Sequence, residues 1–213
     1  MNRRELLKMI ALATGTAFIG EEFLLSGCKN PEAGPSTEFS PETISFLDEV
    51  GETILPKTNT PGAKDARIGE YMKIMVNDCY TEDNQKIFHD GIKQLNDECE
   101  QMHKISFVKA TAEQRKTLLT KLDADAKKTA DQNKAFNEAE ALNEMEQHRN
   151  GNINYKRQSK PSHYFTMMKQ LTISGYFTSK EGRKGALRYT PVPGKFVADL
   201  DYKKGDRAFA GLD

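Results

Sequence analysis

The sequence has no tryptophan, three cysteines and four histidines in 213 residues. Three cysteines are too few for the disulfide framework of a small secreted scaffold. No apolar run approaches the ~20 residues that a membrane-spanning helix needs. Neither sign of charge is in excess, with 31 Lys and Arg against 31 Asp and Glu. That balance removes the basic footprint of a nucleic-acid binder. Apolar residues make up 37%, where soluble domains hold about 45–50% with glycine included. The length fits one domain with appendages, not a compact globule throughout.

Several chemical signatures are also missing. There is no Gly-x-Gly-x-x-Gly dinucleotide fingerprint, no Cys-x-x-Cys-His haem attachment and no Gly-x-Ser-x-Gly elbow. An iron–sulfur cluster needs about four thiolates. His89, His103, His148 and His163 show no His-x-x-x-His pairing. Glu144 and His148 share one helix face, a pairing common by chance. We therefore expect no catalytic, cofactor-binding or metal residue in this chain.

What is present begins with an address. Arg3 and Arg4 are followed by Leu6, Lys8 and a mildly apolar stretch from Met9 to Gly20. That stretch has the length of a signal-peptide core, and the arginine pair points to twin-arginine export. Leu25-Ser26-Gly27-Cys28 then reads as a bacterial lipobox, in which small residues give the signal peptidase access to the bond before a lipidated cysteine. The expectation is a signal over 1–27, lipidation at Cys28 and a flexible tether over 28–39, with Pro31, Gly34 and Pro35. The location implied is the cell envelope, facing the periplasm.

The remainder, 40–213, reads as mainly α: a small helical bundle with an irregular C-terminal arm. Ser40-Pro41-Glu42 is a helix start, with Ile44, Leu47, Val50 and Ile54 on one face and Pro56 as the stop. Thr60-Pro61-Gly62 is a turn. Ile68, Tyr71, Met72, Met75, Val76 and Cys79 make a second helix. Thr81 caps a third, striped by Phe88, Ile92, Leu95, Cys99 and Met102. Thr111 and Gln114 form a capping box for a fourth, with Leu118, Leu119 and Leu122.

From about 123 to 160 the apolar pattern thins into a polar insertion. Its first half reads as an exposed helix, and Asn150-Gly151-Asn152 breaks it. Ser162 is the expected cap of a last helix. There Phe165, Met168, Leu171, Thr172, Ile173, Tyr176 and Phe177 are too dense for one stripe, so the helix is buried against the core or a partner. After about 182 the tail is punctuated by Gly and Pro. Its aromatics fit either a tail folded back on its own domain or an extended arm docked on another protein.

Cys79 and Cys99 pose a separate question. An oxidising compartment favours a disulfide. Yet Cys99 lies roughly 22 Å along the helix from the turn beside Cys79, if that helix is unbroken. A disulfide needs Cα atoms within about 7 Å. Either Gly91 folds the helix back, or the two stay unpaired and buried. We favour the second.

Two sets of motifs carry a family resemblance. The first is Glu52-Thr53-Ile54-Leu55-Pro56, then Thr60-Pro61-Gly62-Ala63 and Val76-Asn77-Asp78-Cys79. The second is Lys169-Gln170-Leu171-Thr172-Ile173-Ser174-Gly175-Tyr176-Phe177-Thr178-Ser179 with Tyr189-Thr190-Pro191-Val192-Pro193-Gly194. Over about 40–200 the chain resembles the gluconate 2-dehydrogenase subunit 3 family. The resemblance implies the small subunit of a membrane-associated dehydrogenase complex, with no redox centre of its own. FAD would sit in a large GMC-type flavoprotein that oxidises a sugar or sugar acid, and a c-type cytochrome would carry the electrons onward.

Twin-arginine export carries folded proteins, and this chain shows no cofactor of its own to explain that route. An escort for a folded FAD partner would explain it. The expected contacts with that partner are Leu171, Tyr176, Phe177, Tyr189, Pro191, Pro193 and Phe196. The alternative is a stand-alone envelope lipoprotein that binds a ligand or another protein. Removing 1–27 takes three charges of each sign, so the remainder, 28 against 28, is still neutral.

Overall fold

The computed structural model describes residues 39–192, 194, 199 and 201–210. Among these, five α-helices carry the fold: α1 (Pro41–Ile54), α2 (Ile68–Cys79), α3 (Glu82–His103), α4 (Ala112–Arg149) and α5 (Tyr164–Thr178). A 3-10 turn at Phe107–Lys109 joins α3 to α4. A π turn at Gly182–Ala186 follows α5, and two short strands close the tail, β1 (Arg188–Tyr189) and β2 (Phe209–Ala210). The mainly α expectation holds. Among the described residues no helix is long and apolar enough to cross a membrane.

The helix starts follow local rules. The Ser40 hydroxyl accepts from the Thr43 N–H at 3.2 Å, with Pro41 at the first helical position. Thr81 accepts from the Asn84 N–H. At α4 the capping box is complete: Thr111 accepts from Gln114 N–H, and the Gln114 side chain accepts from Thr111 N–H. Each cap satisfies a donor the helix cannot, and its loss costs about 1 kcal/mol. At α5 the cap is His163 and not Ser162. Its Nδ1 accepts from the Phe165 N–H at 3.2 Å, and the helix starts one residue later than expected.

α5 is the centre of the bundle and touches each of the other four helices. This is why its apolar residues are so dense. Tyr164, Phe165, Met167, Met168, Leu171, Thr172 and Tyr176 are all buried on it. They meet Leu47 and Val50 of α1, Met72 and Val76 of α2, Phe88 and Leu95 of α3, and Leu118 and Leu122 of α4 in one core. Burying a side chain such as Met168 contributes roughly 1.5–3 kcal/mol. The buried Thr172 donates its hydroxyl to the Met168 carbonyl at 2.8 Å. Gly91 does not break α3. Tyr164 lies directly over it, where a Cβ would collide with the ring and its Cβ.

The tether reading needs one correction. Phe39 is buried, with its ring 6.2 Å from Phe88 and 4.6 Å from His89. Phe39, the first of the described residues, thus belongs to the folded body and packs on α3.

α4 has two parts. Leu118, Leu119, Leu122 and Ala126 pack on the core. Beyond them the helix continues to Arg149, 38 residues in all, or about 57 Å. Between residues 127 and 163 no side chain is buried. The returning chain lies along one face of this helix, held by polar bonds. Asn133 donates to the Pro161 carbonyl, Asn137 accepts from Lys160 N–H at 3.1 Å, and Glu140 accepts from Gln158 N–H and the Tyr155 hydroxyl. Asn143 donates to that hydroxyl at 2.7 Å. Positions 133, 137, 140 and 143 are three or four apart, so one helix face makes all the contacts. The polar insertion is thus a helical arm with a strap. Leu142, Met145 and Ile153 on it are exposed.

Candidate functional site

The residues of the two motif sets meet in space. The segment between α1 and α2 is built on Glu52, whose carboxylate accepts from Lys57 N–H at 2.7 Å and Lys64 N–H at 2.9 Å. Asp65 accepts from Gly62 N–H at 2.9 Å and from the Lys57 ammonium at 3.1 Å. These bonds hold the Asp65 carboxyl below the usual range, the Gly62 N–H first and Lys57 second. Asp48 accepts from Gly69 N–H at 2.8 Å and so fixes the start of α2. Burial pushes the Asp48 carboxyl up, and the Gly69 N–H opposes this.

α5 closes over this loop. The Tyr176 hydroxyl donates to the Pro61 carbonyl at 2.6 Å. The Ser179 hydroxyl donates to the Tyr176 carbonyl at 2.7 Å and accepts from Gly182 N–H at 3.0 Å. That turn brings Gly185 against the Pro61 ring, where a Cβ would lie 2.5 Å from Cδ. Gly185 is thus fixed by close approach, a use only glycine serves. π turns recur at functional sites, and this one joins the two motif sets.

The tail folds back on itself. β1 and β2 pair in parallel, with Arg188 opposite Phe209 and Tyr189 opposite Ala210. Arg188 N–H donates to the Ala208 carbonyl at 2.8 Å, and Ala210 is buried. Of the two readings of the tail, folded back or extended, its described part takes the first. Aromatic surface still remains outside: Tyr189 and Phe209 are exposed, and Tyr202 is 75% exposed.

The expected contact residues therefore separate. Leu171 and Tyr176 lie in the chain's own core, at 5% and 3% exposure, and have no surface to offer a partner. Helix period decides this, because α5 turns Leu171 and Tyr176 inward. Phe177 and Ile173 face outward, Phe177 set edge-on against Tyr176 with centroids 5.1 Å apart. Tyr189 and Pro191 are also exposed. Pro193, Phe196, Arg3, Arg4 and Cys28 lie outside the described residues.

Cys79 and Cys99 are both free thiols. Cys99 is buried within α3, and burial pushes its thiol up. Cys79 is exposed at the end of α2, not buried as expected. It is the last residue of its helix, past the turn that packs Met72 and Val76.

Other polar groups do not converge on chemistry. Lys121 pairs with Glu98 at 2.7 Å, and the Glu98 carboxylate also acts on the buried Tyr164 hydroxyl. Burial, then the Glu98 charge, holds that hydroxyl protonated. Among the described residues no three His, Cys, Asp or Glu side chains form a cation cage. A groove of about 190 Å³ lies between Ile54, Leu119 and Phe165, edged by the Lys169–Asp123 pair. It is smaller than the ~300–1,000 Å³ of a usual ligand pocket.

Comparison with known families matches residues 41–194 to gluconate 2-dehydrogenase subunit 3, and the chain belongs to that family. The family name implies a subunit of a gluconate 2-dehydrogenase complex, associated with a larger dehydrogenase subunit. No curated protein and no solved structure matches the chain. The match ends at Gly194, so Arg207 and Phe209 of the returning tail lie beyond it. Sequence reasoning named Glu52 only as part of a family motif, without its role as an acceptor, and missed Asp65 and Asp48. Glu52 and Asp65 flank the Pro61-Gly62 turn, where free N–H groups need acceptors, but Asp48 sits inside α1 and meets Gly69 only across 21 positions.

Proposed function

We propose that this chain is the non-catalytic small subunit and export escort of an FAD-dependent, GMC-type sugar or sugar-acid dehydrogenase. The observation that carries the reading is the convergence of the motif residues. Loop, α5 and π turn lock together through Tyr176 and Pro61, and present Phe177, Ile173, Tyr189 and Pro191 outward. A braced face with aromatics at its surface suits a protein partner. The flavin belongs to the large subunit, and this chain holds no cofactor.

Arg3 and Arg4 direct the folded pair through twin-arginine export, and lipidation at Cys28 holds it at the membrane on the periplasmic side. A c-type cytochrome is the electron acceptor that such a complex would meet. The test is localisation of the large subunit. Changing Arg3 and Arg4 to Lys should strand it, with its flavin, in the cytoplasm. Normal export of the large subunit in a strain lacking this chain would overturn the escort role. If tagged full-length chain retrieves no flavoprotein, the chain acts as a stand-alone envelope lipoprotein instead.

A further inference from the structure

We propose that the returning C-terminal tail is a basic clasp that docks on an acidic face of the large subunit. The proposal rests on the small-subunit reading above and names the chemistry of its partner surface. Residues 180–210 hold eight Lys or Arg against four Asp or Glu, within a chain of zero net charge. The surplus is concentrated by the fold. Arg207 Nη1 donates to the Gly185 carbonyl at 2.8 Å, which ties the tail to the π turn. The Arg188 guanidinium lies 4.6 Å over the Phe209 ring, and the Lys184 ammonium 5.7 Å over Tyr189.

Three cations thus share one short stretch of surface, on the strand pair and the turn that feeds it. Among the described residues none of the three is in an ion pair, although eight ion pairs form elsewhere. Gathering like charges raises the energy of the free chain, and an anionic counterpart relieves it. The aromatic rings and main-chain bonds hold the cations in place before any partner arrives, so less freedom is lost on docking. Two of the three are arginines, whose planar forks match carboxylates in pairs. A fixed arrangement of this kind fits a shaped acidic protein surface better than a fluid headgroup layer. The clasp is also continuous with the outward face of α5, through Ser179, Gly182 and Gly185. Its second strand lies past the family match, which ends at Gly194.

The test uses the full chain with its large subunit, and reads the dissociation constant against salt. The triple variant Lys184→Gln, Arg188→Gln, Arg207→Gln should weaken binding at least tenfold at low salt and flatten the salt dependence. Lys127→Gln, Lys128→Gln, Lys156→Gln on the arm removes the same charge and should change neither. Lys184→Glu alone removes no hydrogen bond and keeps the test valid if the triple variant unfolds; it should also weaken binding. Unchanged affinity and slope in a folded clasp variant would overturn the proposal. So would binding of the clasp to vesicles of phosphatidylcholine with phosphatidylglycerol, lost in the variant, while large-subunit affinity is unaffected. Absence of any large-subunit binding by the wild-type chain at every salt concentration refutes the small-subunit reading, and the clasp falls with it.

Discussion

The hydroxyl of Tyr176 donates to the carbonyl oxygen of Pro61 at 2.6 Å, across 115 positions of sequence. This bond ties the loop after α1 to the last helix of the bundle. Tyr176→Phe should lower unfolding stability by about 1 kcal/mol, the net worth of one such bond. The Pro61 carbonyl would then have to find water. Urea denaturation measures this, and an unchanged midpoint would show that the bond is dispensable. Large-subunit affinity should fall as well, because the loop and the π turn lose their common brace.

Gly91 gives a prediction with opposed signs. Helix propensity alone makes alanine better than glycine by roughly 1 kcal/mol in a helix interior. Packing says the reverse, because a Cβ at residue 91 meets the Tyr164 ring. Gly91→Ala should destabilise the protein by about 1–3 kcal/mol, the range for overpacking a filled site. A stabilised variant would mean that α3 and α5 do not approach this closely.

The arm should be separable from the core. No side chain from 127 to 163 is buried, and the strap is held by polar bonds centred on Glu140. Glu140→Ala should leave the melting temperature within a degree or two of the parent. It should also accelerate proteolytic cutting near residues 150–160 and amide exchange there. Slow cutting in the variant would show that the strap is held by something else.

Acidification should weaken the fold through His89 and His163. Burial lowers both rings below the ordinary histidine value, against the charges of Asp90 at His89 and of Asp125 and Glu98 at His163. The folded state therefore binds these protons less readily than the unfolded chain. Stability is full above the unfolded value near 6.5 and falls as pH drops through it toward the lower folded values. Denaturation midpoints at pH 7.5 and 5.5 measure the slope. His89→Leu with His163→Asn, which keeps a capping side chain, should flatten it.

Glu49 should matter more than an ordinary surface acid. Its carboxylate accepts from Lys64 and Arg115, while Arg115 also donates to the Phe107 carbonyl at 2.9 Å and lies 5.4 Å over the Phe107 ring. Burial alone would raise the Glu49 carboxyl, yet the two cations outweigh it and hold it low. Glu49→Gln should cost about 2 kcal/mol, within the range for a bond to a charged group. Loss would read out as a lower melting temperature.

The caps and stripes were legible in the sequence because each is settled within about four residues. Ser40, Thr81 and the Thr111–Gln114 box need only their own helix turn to act. The breaks at Pro56 and Asn150-Gly151 are equally local, since proline removes a donor and glycine frees the backbone. Family motifs were legible for the same reason, as contiguous strings. The α5 cap falls at His163 and not at Ser162, because a histidine nitrogen takes the place usually held by a hydroxyl.

Tertiary structure alone decided which residues of those strings face outward. Tyr176 and Phe177 are neighbours of like character, yet one is spent on Pro61 and the core while the other is left 38% exposed. The pairing of Arg188 with Phe209 spans 21 positions and depends on where the tail returns. Cys79 is exposed because α2 ends there, past its last packed turn. Local sequence sets the helices through bonds made within a turn. Burial and docking surface come from which helices meet, and that choice is made by contacts between distant residues.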